Sequence, residues 1–419
     1  MSCRRQLITA ACVADAAGVY HAPGVLLLEG RTILACSTPS QIGNIDDAER
    51  IDLPDHVLLP ALVNAHAHLD LSHLDHEPYE GDFVGWIDKV RSQRAIDSNA
   101  IEASMKLGIE QSLRGGTALI GDIAGGGSSI PLELLRDSPL GGVSFHEVFG
   151  IGAARARGLE AIKALRDALV QDDRGVQLGL QPHAPYSCAP EVFRAALASG
   201  LPLCTHLAET RAEIEFVEHA KGPFAAMLQA FGIWDDSIEA QKTHPIDFVH
   251  DQLQAAPLVA AHLNYVEDRH LEIMAHWPIT IAYCPRASDY FNHPAPDHPP
   301  HRYQAMLKSG INVALGTDGR LCLDTHDRIS VLDEMRFLFR RDALDPRNLL
   351  AMGTINGARS LGVDESLFTF EPGEIAGLLA LKIDPSDPKD PLVQVMQLEN
   401  APHWILEPVL GTSHSTSDA

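Results

Sequence analysis

Two histidines placed two residues apart, His66 and His68, close the apolar stretch 58–70 (LLPALVNAHAHLD), and this stretch constrains the fold more than any other. Side chains at i and i+2 of a strand leave on the same face, so the two imidazoles converge on one point. Burying both there is costly unless something binds them. The stretch therefore reads as a buried strand that ends at a metal site, with His66 and His68 as candidate ligands.

Between residues 57 and 365 the pattern alternates strand and helix, the signature of a parallel sheet. The strand candidates are VLLPALVNAHAH, TALIGDIA, LGGVSFHEVFG, VQLGLQPHAP, LPLCTHLAE, PLVAAHLNY, ITIAYCP and NVALGTDG, with amphipathic segments such as 160–170 and 329–340 among them. This is the count that a TIM-like (β/α)8 barrel needs, and such a barrel carries its chemistry at the carboxyl ends of its strands. Those ends are His66, His68, Asp122, Glu147, His183, His206, His262, Cys284 and Asp318.

His206 would add a third imidazole and Asp318, between Gly316 and Gly319, a carboxylate. With an open position, this makes a hydrolytic one-metal site, zinc before iron, that lowers the pKa of bound water to about 7. No lysine closes a strand, which argues against a lysine-bridged metal pair. Glu209, three residues after His206, is the candidate proton shuttle. His262 would hold or polarise the water, and His183 would orient the substrate. Gly125-Gly126-Gly127 lacks phosphate-loop spacing and reads as a flexible loop. The histidines of FNHPAPDHPPH (291–301) read as surface residues.

The ends of the chain look different. QLITAACVAD, GVLLLEG with a hairpin near Glu29-Gly30, and TILACST are too little to bury a core alone. Partners appear only at EIAGLLALKID and 392–398, which also read as strands. Residues 1–56 and 366–419 are therefore expected to form a small β-sandwich domain around the inserted barrel, 57–365, with 411–419 a frayed tail. The formal charge of −24 over 419 residues argues against nucleic acid and anionic membranes and leaves a small molecule as the partner. A homo-oligomer is compatible with this composition. Seven cysteines without a CxxC fit a reducing cytoplasm, and no run of about 20 apolar residues predicts a span. The start, MSCRRQLITAACVADA, mimics a signal peptide, but its apolar run is short.

LVNAHAHLD, QPHAPYSC, HLAET, VAAHLNYV, YCPRASDYF and ALGTDG, in that order, resemble the amidohydrolase superfamily, in the branch of chlorohydrolases and cytosine-, guanine- and adenosylhomocysteine-type deaminases. The resemblance implies that His66, His68, His206 and Asp318 hold one divalent metal. It also implies that Glu209 and His262 act on the water, that His183 contacts substrate and that Asp318 doubles as proton acceptor. HLDLSHL followed by FVGWIDKVRSQR is similar to the aminodeoxyfutalosine deaminases, in which Phe83 and Trp86 would wall the pocket. Packing of an amphipathic helix explains these two equally well. Arg286 and Asp289 depart from the CPxSN pattern of many members, and Arg286 becomes a candidate substrate contact. Ala376-Gly377 departs from Ala-Asp in the β domain. The implied activity is hydrolytic deamination of an amino-substituted heteroaromatic ring, such as a purine-like base or nucleoside derivative. The rivals are hydrolysis of a cyclic amide or ring halide and, more remotely, a non-catalytic scaffold.

Overall fold

A computed structural model describes residues 5–43, 45–167 and 175–410. Eight parallel strands surround the site: Leu62–His68, Thr117–Ala124, Gly141–Val148, Val176–Pro182, Leu203–Leu207, Leu258–His262, Ile279–Tyr283 and Asn312–Leu315. A ninth short strand, Asp318–Gly319, pairs with Leu62–His68 and closes the ring. The closure is visible in two backbone bonds, Gly316 N–H to Tyr283 O and Thr317 N–H to His66 O, each 2.9 Å. Parallel strands covered on both faces read as unbroken apolar runs. Every residue of Leu62–His68 and Thr117–Ala124 is accordingly buried.

Helices on the outside begin and end on local signals. Asp97 caps Ser98–Arg114 by accepting the Ala100 N–H. Pro190 opens Pro190–Ser199, and Gly200 ends it in the left-handed conformation. The segment expected at 329–340 is the helix Val331–Asp342. The one expected at 160–170 falls within Arg155–Asp167, and its last residues lie outside those described, as does the tail 411–419.

The two ends of the chain share one eight-stranded sheet. Its centre is Arg5–Ala14 beside Ala48–Pro60, parallel, with Leu378–Lys382 antiparallel to the latter. Gly24–Glu29 and Thr32–Ser37 form the expected hairpin. Two expectations need correction. The stretch 58–70 is two strands, because Leu58 and Leu59 belong to Ala48–Pro60 of this sheet, and the expected boundary at 56/57 falls inside that strand. The chain changes sheets at Ala61: its N–H bonds to Gly377 O, and that of Leu62 bonds to Gly116 O, both at 2.9 Å.

The segment 392–398 is not a strand but most of the helix Pro391–Gln397. Asp390 caps it, accepting from Leu392 N and Val393 N, and Pro391 takes the first turn. Leu392, Val395 and Met396 are buried at helical spacing, a period that so short an apolar run conceals. No helix among the described residues is long and apolar enough to cross a membrane.

Candidate active site

The barrel brings His66, His68, His206 and Asp318 together at the carboxyl ends of their strands. His68 Nε2 lies 3.4 Å from Asp318 Oδ1 and 3.4 Å from His206 Nε2, and His66 Nε2 lies 3.9 Å from Asp318 Oδ1. Ligands of a tetrahedral zinc at 2.0–2.1 Å stand about 3.3 Å apart. The spacing fits one ion. The chemistry fits as well, since both ring nitrogens of His66 and the Nδ1 of His68 are buried without a hydrogen-bond partner. Burial and the neighbouring imidazoles push His66 and His68 well below the ordinary histidine value, and burial takes His206 down to about 3. Neutral imidazoles are the state in which histidine binds a divalent cation.

Local backbone geometry sets the ligands. A Cβ on Gly316 would lie 2.8 Å from His66 Cβ and 2.9 Å from Cys284 Sγ, so only glycine lets the last strand approach the first. Asn64, buried beneath, donates to Thr317 Oγ1 at 2.8 Å and accepts from Thr317 N at 3.2 Å, tying the two strand ends together. Asp318 and His262 sit at φ 61° and 74°. Non-glycine residues there store about 1–3 kcal/mol each, a strain that clusters at functional sites.

Glu209 and His262 lie beside the candidate ligands. His262 Nε2 is 3.6 Å from Glu209 Oε1, and Glu209, His262 and Asp318 offer ligand atoms within 4.8 Å of one another. Burial, then the charges of Asp318 and Glu213, hold the Glu209 carboxyl well above the usual range. Burial raises Asp318 to about 6. Glu213, which the sequence did not single out, accepts the backbone N–H groups of Ala208 and Glu209, each at 2.9 Å.

His183 lies one ring farther out, 4.9 Å from His206 between ring centroids, with Nε2 3.8 Å from Glu147 Oε1 and Nδ1 2.7 Å from Ser187 Oγ. Arg94 was also missed. Its Nη1 meets Glu147 Oε2 at 3.0 Å and its Nε meets Asp70 Oδ2 at 3.1 Å, joining two strand-end acids. A Cβ on Gly125 would lie 2.0 Å from Arg94 Nη2. The expected flexible loop is thus a seat for this guanidinium at Gly125. Asp122 is raised by burial, then by Asp70, to about 8. Its Oδ1 accepts from Leu69 N at 3.1 Å and its Oδ2 has no partner.

Arg286 and Trp86, the other two expected substrate contacts, are held by protein neighbours. Arg286 is buried, with its Nε and backbone N on the Glu334 carboxylate at 2.6 and 2.9 Å, and its Nη1 on Asp324 and Thr325. Its Nη2 is buried without a hydrogen-bond partner. Trp86, on the helix Phe83–Gln93, packs edge-on against Phe291 at 4.7 Å, in an apolar cluster with Cys284 and Cys322.

The chain is 27% identical over 349 residues to the 5-methylthioadenosine/S-adenosylhomocysteine deaminase of Moorella thermoacetica, covering 78% of this chain and 74% of the relative. The fold matches the crystal structure of Helicobacter pylori aminofutalosine deaminase in complex with methylthio-coformycin. The TM-score there is 0.75 at 20% identity, over 96% of this chain and 99% of that one. It also matches atrazine chlorohydrolase from Arthrobacter aurescens complexed with zinc. That TM-score is 0.74 at 18% identity, over 96% of this chain and 94% of that one. The profile of the amidohydrolase family matches residues 57–405, which take in the four candidate ligands and both groups beside them, and the chain belongs to that family.

Proposed function

We propose that this protein is a metal-dependent hydrolytic deaminase of an amino-substituted heteroaromatic ring, purine-like and carried on a nucleoside derivative. The carrying observation is the Glu209–His262 pair, 3.6 Å apart beside the ligand set. It places a carboxyl whose pKa burial raises next to an imidazole whose pKa burial lowers. His66, His68, His206 and Asp318 would hold a divalent cation, zinc by analogy with the chlorohydrolase structure, which would supply Lewis acidity toward a water. Asp318 and His262 orient that water toward the ring carbon bearing the amine and take its proton. Glu209 protonates the adjacent ring nitrogen and recovers a proton from the added hydroxyl as the carbonyl forms, while the proton taken from water passes to the departing amine, so the products are the ring carbonyl compound and ammonia. His183 faces the ring, and the helix carrying Phe83 and Trp86 borders the pocket. The adenosine-type substrates named for the Moorella relative support the purine reading.

As part of the same reading, the barrel and the sheet from the two chain ends are separate units, joined after Pro60. The six described cysteines are all free, in keeping with a cytoplasmic enzyme. Because a zinc-bound chlorohydrolase shares the fold, ring-halide hydrolysis is the second reading. A panel of adenosine, 5′-deoxyadenosine, 5′-methylthioadenosine, cytosine, guanine and a chlorotriazine, followed by ammonia release and purine absorbance, separates the two. Ammonia from a purine nucleoside supports deamination. Halide release alone, or no turnover by metal-replete protein, overturns it.

A further inference from the structure

The backbone of His262 is left-handed, at φ 74°, and that of Leu263 follows at φ 50°. Something must hold a histidine in that conformation if its ring is to stay beside Glu209. Its carbonyl oxygen accepts a hydrogen bond from His301 Nε2 at 2.8 Å. On the other side of the His301 ring, Nδ1 accepts the Tyr303 N–H at 3.1 Å, which fixes the proton on Nε2 and makes the ring a one-way donor to His262. The ring lies flat on Tyr283, with centroids 3.7 Å apart and planes at 16°, and Arg341 Nη2 holds the Tyr283 hydroxyl at 3.1 Å. His301 is 8% exposed, although the proline-rich segment before it runs along the surface.

We propose that His301 is a positioning residue for His262, and that the segment 291–303 serves to deliver it behind the barrel wall. The proposal rests on the reading that His262 acts on the attacking water. A rotation of the His262 peptide would swing its imidazole away from Glu209, whereas His66, His68 and His206 are held by the backbones of other strands, so binding and catalysis should separate.

The test compares His301→Phe, which keeps the stack on Tyr283 but lacks both polar atoms, with His301→Gln, whose amide nitrogen reaches the Nε2 position. His301→Asn, whose amide stops short of it, is the third variant. With metal content and Tm measured alongside, His301→Phe and His301→Asn should lose about 10-fold to 100-fold in kcat with KM within about twofold, and His301→Gln should recover most of it. In wild-type protein carrying nitrogen-labelled histidine, the ring proton should reside on Nε2 and exchange slowly. Unchanged kcat in His301→Phe, no recovery in His301→Gln, or a ring protonated on Nδ1 would overturn the proposal. His262→Ala serves as the control. If it retains full kcat, the role of His262 fails; if it is inactive while His301→Phe is unaffected, only the brace fails.

Discussion

The backbone N–H of Glu209 donates to the carboxylate of Glu213 at 2.9 Å, so an acid four residues along the chain sets where the candidate proton shuttle points. Ala208, at φ 49°, donates to the same carboxylate, which closes a tight loop between the strand Leu203–Leu207 and the helix Arg211–His219. Replacing Glu213 with Ala leaves two buried N–H groups unpaired, at a cost of about 2–4 kcal/mol. The expected outcome is a lower Tm together with lower kcat, and Glu213→Gln should be intermediate in both. A Glu213→Ala protein as stable and as fast as the wild type would remove this support role.

Glu209→Gln removes the transferable proton and leaves the shape. A loss of about 100-fold to 10,000-fold in kcat is expected, with metal content unchanged. Steady-state kinetics beside elemental analysis checks this. If Glu209→Gln loses the ion instead, Glu209 is a ligand and not a shuttle.

Chelation should lower Tm, because an ion bound only by the folded chain stabilises it in proportion to the logarithm of its concentration over Kd. Adding back Zn2+ should restore one equivalent and the Tm. His68→Ala and His206→Ala should show neither effect. Binding of one equivalent by His68→Ala would mean the cluster is not the site.

The pH dependence of stability can be derived from Asp122. Burial raises this acid from 3.8 to about 8, so the folded chain keeps a proton that the unfolded chain has lost across that interval. Stability from this residue is therefore full below about pH 4 and declines as pH rises toward 8. Asp122→Asn keeps an acceptor for Leu69 N–H and cannot ionise. Its Tm should gain on the wild type by several degrees between pH 5 and pH 8. A difference in Tm that does not vary with pH would contradict the assignment.

Arg286 should matter for folding and not for substrate. Arg286→Met leaves Glu334, fully buried, without its cation, a loss of about 3–5 kcal/mol. Thermal melts should register it while KM stays near the wild-type value; a selective rise in KM would return Arg286 to the pocket.

What the sequence disclosed and what it concealed follow from one distinction. His66, His68, His206, His262 and Asp318 end apolar strands, and a polar residue at such an end has few explanations, so these positions were legible. Arg94, Glu213 and His301 lie in a helix end, a first helical turn and a proline-rich loop, where charged and polar residues are commonplace. Their importance comes from tertiary approach, which leaves no periodic trace. The pairing of Arg286 with Glu334 joins positions 48 residues apart and leaves no periodic trace either. The helix Pro391–Gln397 was misread because seven residues are too few for apolar spacing to separate helix from strand.

The crossing at Ala61 bears on the evolution and engineering of this site. One residue separates the outer sheet from the strand holding His66 and His68, and it is anchored on both sides. A single inserted residue there would shift the strand by one position, and because strand side chains alternate, it would turn both imidazoles toward the surrounding helices wherever no bulge takes it up. Deletions and insertions should thus be tolerated in the hairpin at the far edge of that sheet and lethal to metal binding at its junction with the cylinder, which makes the accessory sheet the ruler that sets the ligands' phase.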